Sequence, residues 1–313
     1  MGTQVGLRKR KAHLLAILSR GLDSPSHRLA ELSADLETSP VDLKRVVAVI
    51  QGDAELTAPL MRLTTGALSG ERRRVSRLED AAILLGAAKL RHLALACFLI
   101  EASREKLGQA TTESFWSHAL FVAVLAERTV RGLSLGSAEQ AYVAGLLHDV
   151  GKLPLLMVAE AERSSTSIWL SSDGAKTLAL EREYFGLDHC EAGHRLGTHW
   201  NLSPVLLEAI AWHHEPRRAR VAPDLVGIVA IANLLGSSDV AAGTDSPGDD
   251  FVRACLPHMG EARRKVLCAI VRRECTAARK FAETENPALG LRNEPDLSPG
   301  TAPQCHGGRM NGL

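Results

Sequence analysis

An adjacent histidine and aspartate, His148 and Asp149, are the residues of this chain whose types and spacing most directly suggest chemistry. They follow an apolar run that includes Leu146 and Leu147, and Gly151 comes two residues after the aspartate. These neighbours predict that the pair is buried, where an unpaired charge is costly. The pair therefore needs partners from elsewhere in the chain.

Other histidines could supply these partners, because seven of the twelve lie between positions 118 and 214. Neutral imidazole and carboxylate are common ligands of divalent metal ions such as Zn, Mn, Fe or Ni. The alternative is a set of ordinary interior histidines, each bonded to a backbone carbonyl. The residues alone leave both interpretations open. The seven are His118, His148, His189, His194, His199, His213 and His214.

Helical geometry sorts the histidines that follow Asp188. This residue and Glu191 form a capping-box arrangement, which predicts a helix that starts here. At about 100° per residue, His194 and His199 lie about 140° and about 280° around the helix from His189. One or two of the three can reach a single site, and we expect His194 and His199 to lie outside it.

Three other features have simpler interpretations. Cys190 is expected to pack rather than act as a nucleophile, because adjacent helical residues diverge and no orienting triad is visible. Lys152 is more commonly a charge at a helix end than a phosphate ligand. The basic run at residues 72–74 is expected to lie in solvent.

The composition favours a helical protein. The chain has 313 residues, of which 45% are hydrophobic and only 4% aromatic, and apolar residues recur at helical spacing without strand alternation. An all-α fold is therefore predicted. With 37 basic and 36 acidic residues, the charge balance gives no reason to expect binding to nucleic acid or a membrane. The six cysteines form no CxxC pair and no apolar run reaches transmembrane length, so we expect a cytoplasmic protein.

The chain is predicted to fall into four segments that differ in charge, apolar periodicity and glycine or proline content. The main segment contains a first helical lobe and a second lobe that holds the histidines. The segments are a basic leader with a short helix (1–25), a main domain (26–240, with lobes 26–110 and 111–240), helices that pack on it (241–285) and a disordered tail (286–313).

Four motifs occur in a fixed order along the chain. They are DAEL with LMRL (53–56 and 60–63), an apolar segment ending in Gly with Leu-Arg after it (78–86 and 90–91), GLLHDVGK (145–152), and a last group of Asp188-His189, Gly193, Trp200, Pro204, Ile210 and HHEP (213–216). Together they resemble the HDOD family, the HD-related output domain of bacterial signalling proteins. This family is related to the HD and HD-GYP phosphohydrolases, and the likeness covers roughly residues 28–240.

The resemblance implies an HD-like helical bundle with an N-terminal helical lobe and a divalent metal centre of Fe, Mn, Zn or Ni. If the protein is an enzyme, Asp149 and Lys152 are the expected catalytic residues. By likeness to the HD-type phosphohydrolases, the metal ligands are His118, His148, Asp149, His189, His213 and His214.

Two departures from the enzymes favour a non-catalytic protein. Residues 216–218 (Pro-Arg-Arg) stand where HD-GYP proteins continue with the GYP loop, and Asn233 stands where the enzymes have Asp. The expected function is therefore bacterial signal transduction through partners such as histidine kinases or response regulators, or through a nucleotide ligand. The alternative is a metal-dependent phosphohydrolase or phosphodiesterase, which the near-complete ligand set favours.

Overall fold

The structure is a computed structural model that describes residues 2–22, 43–51, 60, 77–85, 87–170, 174–237 and 247–288. These residues form helices and turns and contain no β-strand, which confirms the predicted all-α fold. The helices are α1 (Gly2–Ser19), α2 (Leu43–Gln51), α3 (Leu78–Leu85), α4 (Ala87–Leu107), α5 (Gln109–Leu133), α6 (Ala138–Leu147), α7 (Lys152–Ala161), α8 (Ser167–Leu170), α9 (Gly174–Phe185), α10 (His189–His199), α11 (Pro204–Trp212), a 3-10 turn (Pro216–Arg218), α12 (Pro223–Gly236), α13 (Asp249–Cys255) and α14 (Glu261–Ala288).

Several sequence predictions concern residues outside these ranges. They include the DAEL motif at 53–56, most of the LMRL motif at 60–63, the basic run at 72–74 and the predicted tail from residue 289 onward. The first three residues of the predicted tail, 286–288, are helical, because they form the end of α14.

The basic leader is more helical than the sequence suggested. α1 covers Gly2–Ser19, most of a leader for which only a short helix was predicted, and it packs against α7, α9 and α10. The Nε of Arg10 donates to the carbonyl oxygen of Tyr184 at 2.8 Å, and its guanidinium lies 4.0 Å from the centre of the Tyr184 ring. Leu14 and Leu18 of the same helix are buried. The leader therefore contacts the lobe that carries the histidines.

Helix α5 is the centre of this lobe. Its apolar residues, such as Trp116 and Leu120, are fully buried, and α6, α12 and α14 pack around it. α5 carries His118, α6 leads into the His-Asp pair and α12 carries Asn233. Their shared packing against α5 brings these residues to one region of the core.

Glycines on both sides of the His-Asp pair allow the close contacts that position it. A Cβ atom at Gly145 would lie 2.6 Å from the Cα of Ala123 on α5. A Cβ atom at Gly151 would overlap the carbonyl oxygen of His189, and Gly193 faces Gly151 from α10. The segment between the two glycines is therefore held against α5 on one side and against the start of α10 on the other.

One stretch of the described residues differs from the expectation that no apolar run reaches transmembrane length. Residues Ala138–Ala161 are long and apolar enough to cross a membrane by length and composition alone. In the structure, however, 94% of the apolar window is buried inside the protein, as in the core helix of a bundle. The stretch also contains the buried polar residues His148, Asp149 and Lys152.

We predict that Gly151→Ala destabilises the protein by at least about 2 kcal/mol, because the added methyl group forces the start of α7 away from α10. Urea denaturation followed by circular dichroism measures this change. Gly260→Ala is the matched control, since no described atom lies within 4 Å of the position its Cβ would take. Equal unfolding free energies for the two variants would contradict the close contact.

Candidate metal centre

The residues predicted to form the site converge on the carboxylate of Asp149, which is 2% exposed. Four imidazoles direct their Nε2 atoms at its two oxygens, and a fifth, His214, joins through His189 with 3.1 Å between their Nε2 atoms. The four distances are 3.4 Å from His189 and 3.4 Å from His213 to Oδ1, and 3.4 Å from His148 and 3.7 Å from His118 to Oδ2.

The Oδ1 side of the carboxylate has the spacing of a metal coordination shell. Oδ1 of Asp149, Nε2 of His189 and Nε2 of His213 form a triangle with edges of 3.4, 3.4 and 3.3 Å. Ligand atoms about 2.1 Å from a tetrahedral ion are about 3.4 Å apart, so these three atoms could contact one ion simultaneously. We call this group of atoms, together with His214, the Oδ1 half of the centre.

The Oδ2 side of the carboxylate is built differently. The ammonium of Lys152 lies 2.8 Å from Oδ2, and both groups are buried. Asn233, 4% exposed, places its Oδ1 3.0 Å from Nε2 of His118 and 3.4 Å from Nε2 of His148. We call these four residues, which surround Oδ2 of Asp149, the Oδ2 half. The Oδ2 half therefore already contains a cation from the protein, the ammonium of Lys152.

The second ring nitrogen of four histidines determines their tautomer. In each ring Nδ1 faces a carbonyl or carboxylate oxygen, which can only accept, so Nδ1 carries the proton and Nε2 of the neutral ring keeps its lone pair. The acceptors are Gly236 O for His118 (3.2 Å), Gly145 O for His148 (2.7 Å), Glu181 for His189 (2.7 Å) and Ala209 O and Ile210 O for His213 (both 3.1 Å).

Local sequence features explain where the helices next to these histidines begin and end. Asp188 caps α10 by accepting from the backbone N–H of Glu191 at 2.8 Å, as its capping-box spacing predicts, so His189 occupies the first helical position. At the other end of the site, α11 ends at Trp212, and Pro216 starts a short 3-10 turn. The helix end between them presents His213 and His214 together.

Glu181 is the residue that the sequence interpretation missed. It is fully buried on α9, and its carboxylate accepts from both the ring Nδ1 and the backbone N–H of His189, at 2.7 and 2.8 Å. A signal was available in the sequence. Glu181 lies at helical spacing between Leu178 and Phe185, both buried, so it is a charged residue on the apolar face of a predicted helix.

The structure adds to two interpretations. Lys152 is a helix-end charge, the first residue of α7, but it is also buried at 3% exposure and paired with Asp149. Cys190 is buried, as expected of a packing residue, but its sulfur also lies near the ligand atoms of His189, His213 and His214. The exposed positions of His194 and His199 agree with their predicted place outside the cluster.

Burial and neighbouring charges shift the protonation of this cluster. Burial lowers the pKa of His118 and of His213 to about 4, and it lowers the pKa of His214 further. Burial alone would also lower the pKa of His189, but Glu181 holds it well above the ordinary value. Burial alone would raise the pKa of Asp149, but His148 and Lys152 hold it well below. The carboxylate is therefore ionised, and His189 is the ring that attracts a proton.

The Oδ1 half fits a divalent ion. Asp149 Oδ1 is a buried oxygen with no hydrogen-bond partner among the described residues, and leaving such an atom unpaired is costly. Lone pairs of neighbouring imidazoles point at the same place, and they repel one another unless a cation lies between them. In this centre His189, His213, His214 and Asp149 would hold the ion, and Glu181 would orient His189.

A cavity of about 310 Å³ opens beside this half. His214 and Cys190 form part of its wall, so the buried cluster is connected to solvent at this side. The side chain of Arg218 stacks 3.7 Å above the ring of Trp212 at the same opening. The remaining lining residues are Leu178, Arg182, Asp188, Glu191, His194, Ala211 and Glu215.

We predict that chelator-treated protein loses stability between about pH 6.5 and about pH 4. His118, His213 and His214 bind protons less readily when folded than when unfolded, so acid favours the unfolded state. The raised pKa of His189 stabilises the folded state in acid, but this single group is outweighed by the three histidines whose pKa values are lowered. Urea denaturation at pH 7 and pH 5 should show a loss of more than about 1 kcal/mol. An unchanged or higher unfolding free energy at pH 5 would contradict this balance.

A family model described as the HDOD domain matches residues 22–216. Among curated proteins, an uncharacterized protein of Treponema pallidum (strain Nichols) is 24% identical over 216 residues, which are 66% of this chain. The chain spans 40% of the length of that relative.

Solved structures with the same fold cover most of the chain. An HDOD domain protein with unknown function from Geobacter sulfurreducens matches with a TM-score of 0.60 and 20% identity, over 89% of this chain and 98% of its own. A candidate phosphohydrolase from Shewanella amazonensis SB2B gives 0.59 and 23%, over 90% and 97%. A candidate signal transduction protein from Marinobacter aquaeolei VT8 gives 0.63 and 17%, over 91% and 66%.

These likenesses show a shared helical fold. The family match is stronger evidence for the family, because it spans more than half of the chain and contains Asp149 and the five histidines around it. This chain therefore belongs to the HDOD family.

Proposed function

We propose that this protein is a regulatory HDOD module that binds one divalent ion in the Oδ1 half of its centre and acts through a partner or ligand rather than through catalysis. The observation that carries the proposal is the asymmetry of Asp149. Its Oδ1 atom lacks a hydrogen-bond partner among the described residues, whereas its Oδ2 atom contacts the ammonium of Lys152 at 2.8 Å.

The Oδ2 half can be satisfied without a metal ion. Lys152 already supplies a positive charge to the carboxylate. Asn233 carries an amide, which offers donors as well as an acceptor, so it can turn an N–H towards the Nε2 lone pairs of His118 and His148. A carboxylate at this position could only accept. Asn233, which replaces the Asp of the enzymes, thus allows the Oδ2 half to be satisfied without a metal ion.

A centre that holds only one ion is not suited to the two-metal mechanism of phosphoryl transfer. In that mechanism, two ions about 3.5–4 Å apart contact the attacking and the leaving oxygen. Here the second position is next to the ammonium of Lys152, which is 3% exposed and held by Asp149. The lysine is therefore a structural charge within the centre, and it is not free to reach a substrate.

Partners of the regulatory module are proposed from the family. Signalling proteins such as histidine kinases or response regulators are the expected macromolecular class, and a nucleotide is the expected small ligand. The opening lined by Trp212 and Arg218 offers an aromatic ring and a guanidinium to such a ligand. Cytoplasmic location is likewise proposed, and it is supported by the cysteines of the described residues, which are all free thiols.

The alternative is a metal-dependent phosphohydrolase, and the cavity beside His214 favours it because a reacting group could approach the Oδ1 half from solvent. A bound ion would supply an activated water and polarise a phosphoryl oxygen. Asp149 would then be a ligand and a proton acceptor. One metal position with substrate access is compatible with this chemistry, so turnover must be measured.

We predict about one divalent ion per chain in protein purified without added metal. His213→Ala should reduce the metal content at least about 10-fold, since it removes a ligand of the Oδ1 half, whereas His118→Ala should keep the ion. His194→Ala, on the exposed face of α10, is the matched control. Elemental analysis gives the stoichiometry. Two ions per chain, or equal loss in His118→Ala and His213→Ala, would contradict the asymmetric centre.

The same preparations distinguish the two functions. With bis(p-nitrophenyl) phosphate as the probe, the regulatory proposal expects no turnover above the metal-free control. Turnover that requires the ion and is lost in Asp149→Ala would replace the regulatory proposal with the phosphohydrolase alternative.

We also predict that Glu181→Gln weakens metal binding about 10- to 100-fold, because Glu181 fixes the tautomer and orientation of His189. Glu183→Gln is the control, since Glu183 lies on the same helix but is exposed. Competition with a fluorescent zinc chelator measures both affinities. Equal affinities for the two variants would show that Glu181 does not support the ligand.

A further inference from the structure

We infer that Cys190 is an additional ligand in the Oδ1 half and makes this metal position selective for thiophilic divalent ions such as Zn²⁺, Co²⁺ or Fe²⁺. The inference rests on the proposed metal centre and specifies which class of ion it holds. The ligand set implied by the family resemblance contains histidines and an aspartate, and it has no thiol.

The geometry places the thiol among the imidazoles. The Cys190 sulfur and one ring nitrogen each of His189, His213 and His214 all lie within 4.8 Å of one another. Nitrogen and sulfur ligands of one tetrahedral ion are about 3.3–3.6 Å apart, and the two measured Nε2–Nε2 distances from His189 are 3.1 and 3.3 Å. Small side-chain rotations would bring four such atoms into one coordination shell.

The local fold explains how a neighbour of His189 reaches the same ion. His189 and Cys190 are the first two residues of α10, whereas His213 and His214 directly follow α11. α10 and α11 pack against each other, so the start of one helix faces the end of the other. Two consecutive pairs of side chains thus meet between the helices, although adjacent residues diverge around a helix in isolation.

Packing alone does not account for this thiol. Cys190 is 7% exposed, and a buried cysteine that only fills space normally has apolar neighbours. Here the neighbours are three imidazoles and, on the outer side, the cavity next to His214. When an ion binds, the thiol proton leaves to solvent through this cavity, and the sulfur forms the new bond to the ion.

The ligand type determines the ion class. Thiolate and imidazole favour zinc and related borderline or soft ions, whereas Mg²⁺ and Mn²⁺ are better matched by carboxylate and water oxygens. A centre in which three nitrogens and one sulfur join Oδ1 of Asp149 around the metal position should therefore discriminate strongly against Mg²⁺. This discrimination distinguishes the proposed centre from one whose ligands are only histidines and carboxylates.

Cobalt titration of the metal-free, full-length protein tests the inference. We expect visible d–d bands, which report occupancy, together with a near-ultraviolet charge-transfer band, which reports a cobalt–thiolate bond. In Cys190→Ser the charge-transfer band should disappear while d–d bands remain, and the affinity should fall at least about 10-fold. Cys268→Ser, a half-exposed cysteine on α14, is the control and should keep both signals.

The outcomes separate this inference from the proposed metal centre. Visible bands without a charge-transfer band in the unmodified protein, or a charge-transfer band that persists in Cys190→Ser, would overturn the role of Cys190 and leave the metal centre intact. Absence of any cobalt binding would overturn both. Circular dichroism checks the fold, and Cys190→Ala, which must also lack the charge-transfer band, provides a second variant.

Discussion

The structure depends on the compensation of one buried negative charge, the carboxylate of Asp149. A carboxylate in an apolar core is stable only when positive charge and hydrogen-bond donors surround it closely. This requirement explains why helices distant in the sequence meet at one point: α5, α10, α11 and α12 all deliver side chains to it. The glycines at 145 and 151 meet the same requirement, because they allow the backbone contacts that bring the carboxylate to its partners.

The two oxygens of this carboxylate face different surroundings, and this difference determines the chemistry. Oδ2 contacts an ammonium from the protein itself, whereas Oδ1 faces imidazole lone pairs. Glu181 raises the pKa of His189 and so favours a positive charge on one of the rings that contact Oδ1. A divalent ion would satisfy the same electrostatic demand with more ligands. In the proposed centre, one metal position lies beside one permanent salt bridge, an arrangement that suits sensing or structural stabilisation better than two-ion catalysis.

Residues outside the ligand set are as informative as the ligands. Glu181 and the backbone carbonyls that accept hydrogen bonds from Nδ1 atoms fix the orientation of the rings. Cys190 and His214 connect the cluster to the outer cavity. In the proposed centre, access, ion preference and orientation are thus assigned to different residues.

The sequence by itself determined what depends on local spacing. Apolar periodicity gave the all-α fold, the Asp188 cap gave the start of α10, and helical angles placed His194 outside the cluster. The tertiary structure decided the contacts made between helices. The Glu181–His189 bond, the burial of Lys152 on Asp149 and the sulfur near three imidazoles depend on how helices cross, and spacing along one helix does not specify that crossing.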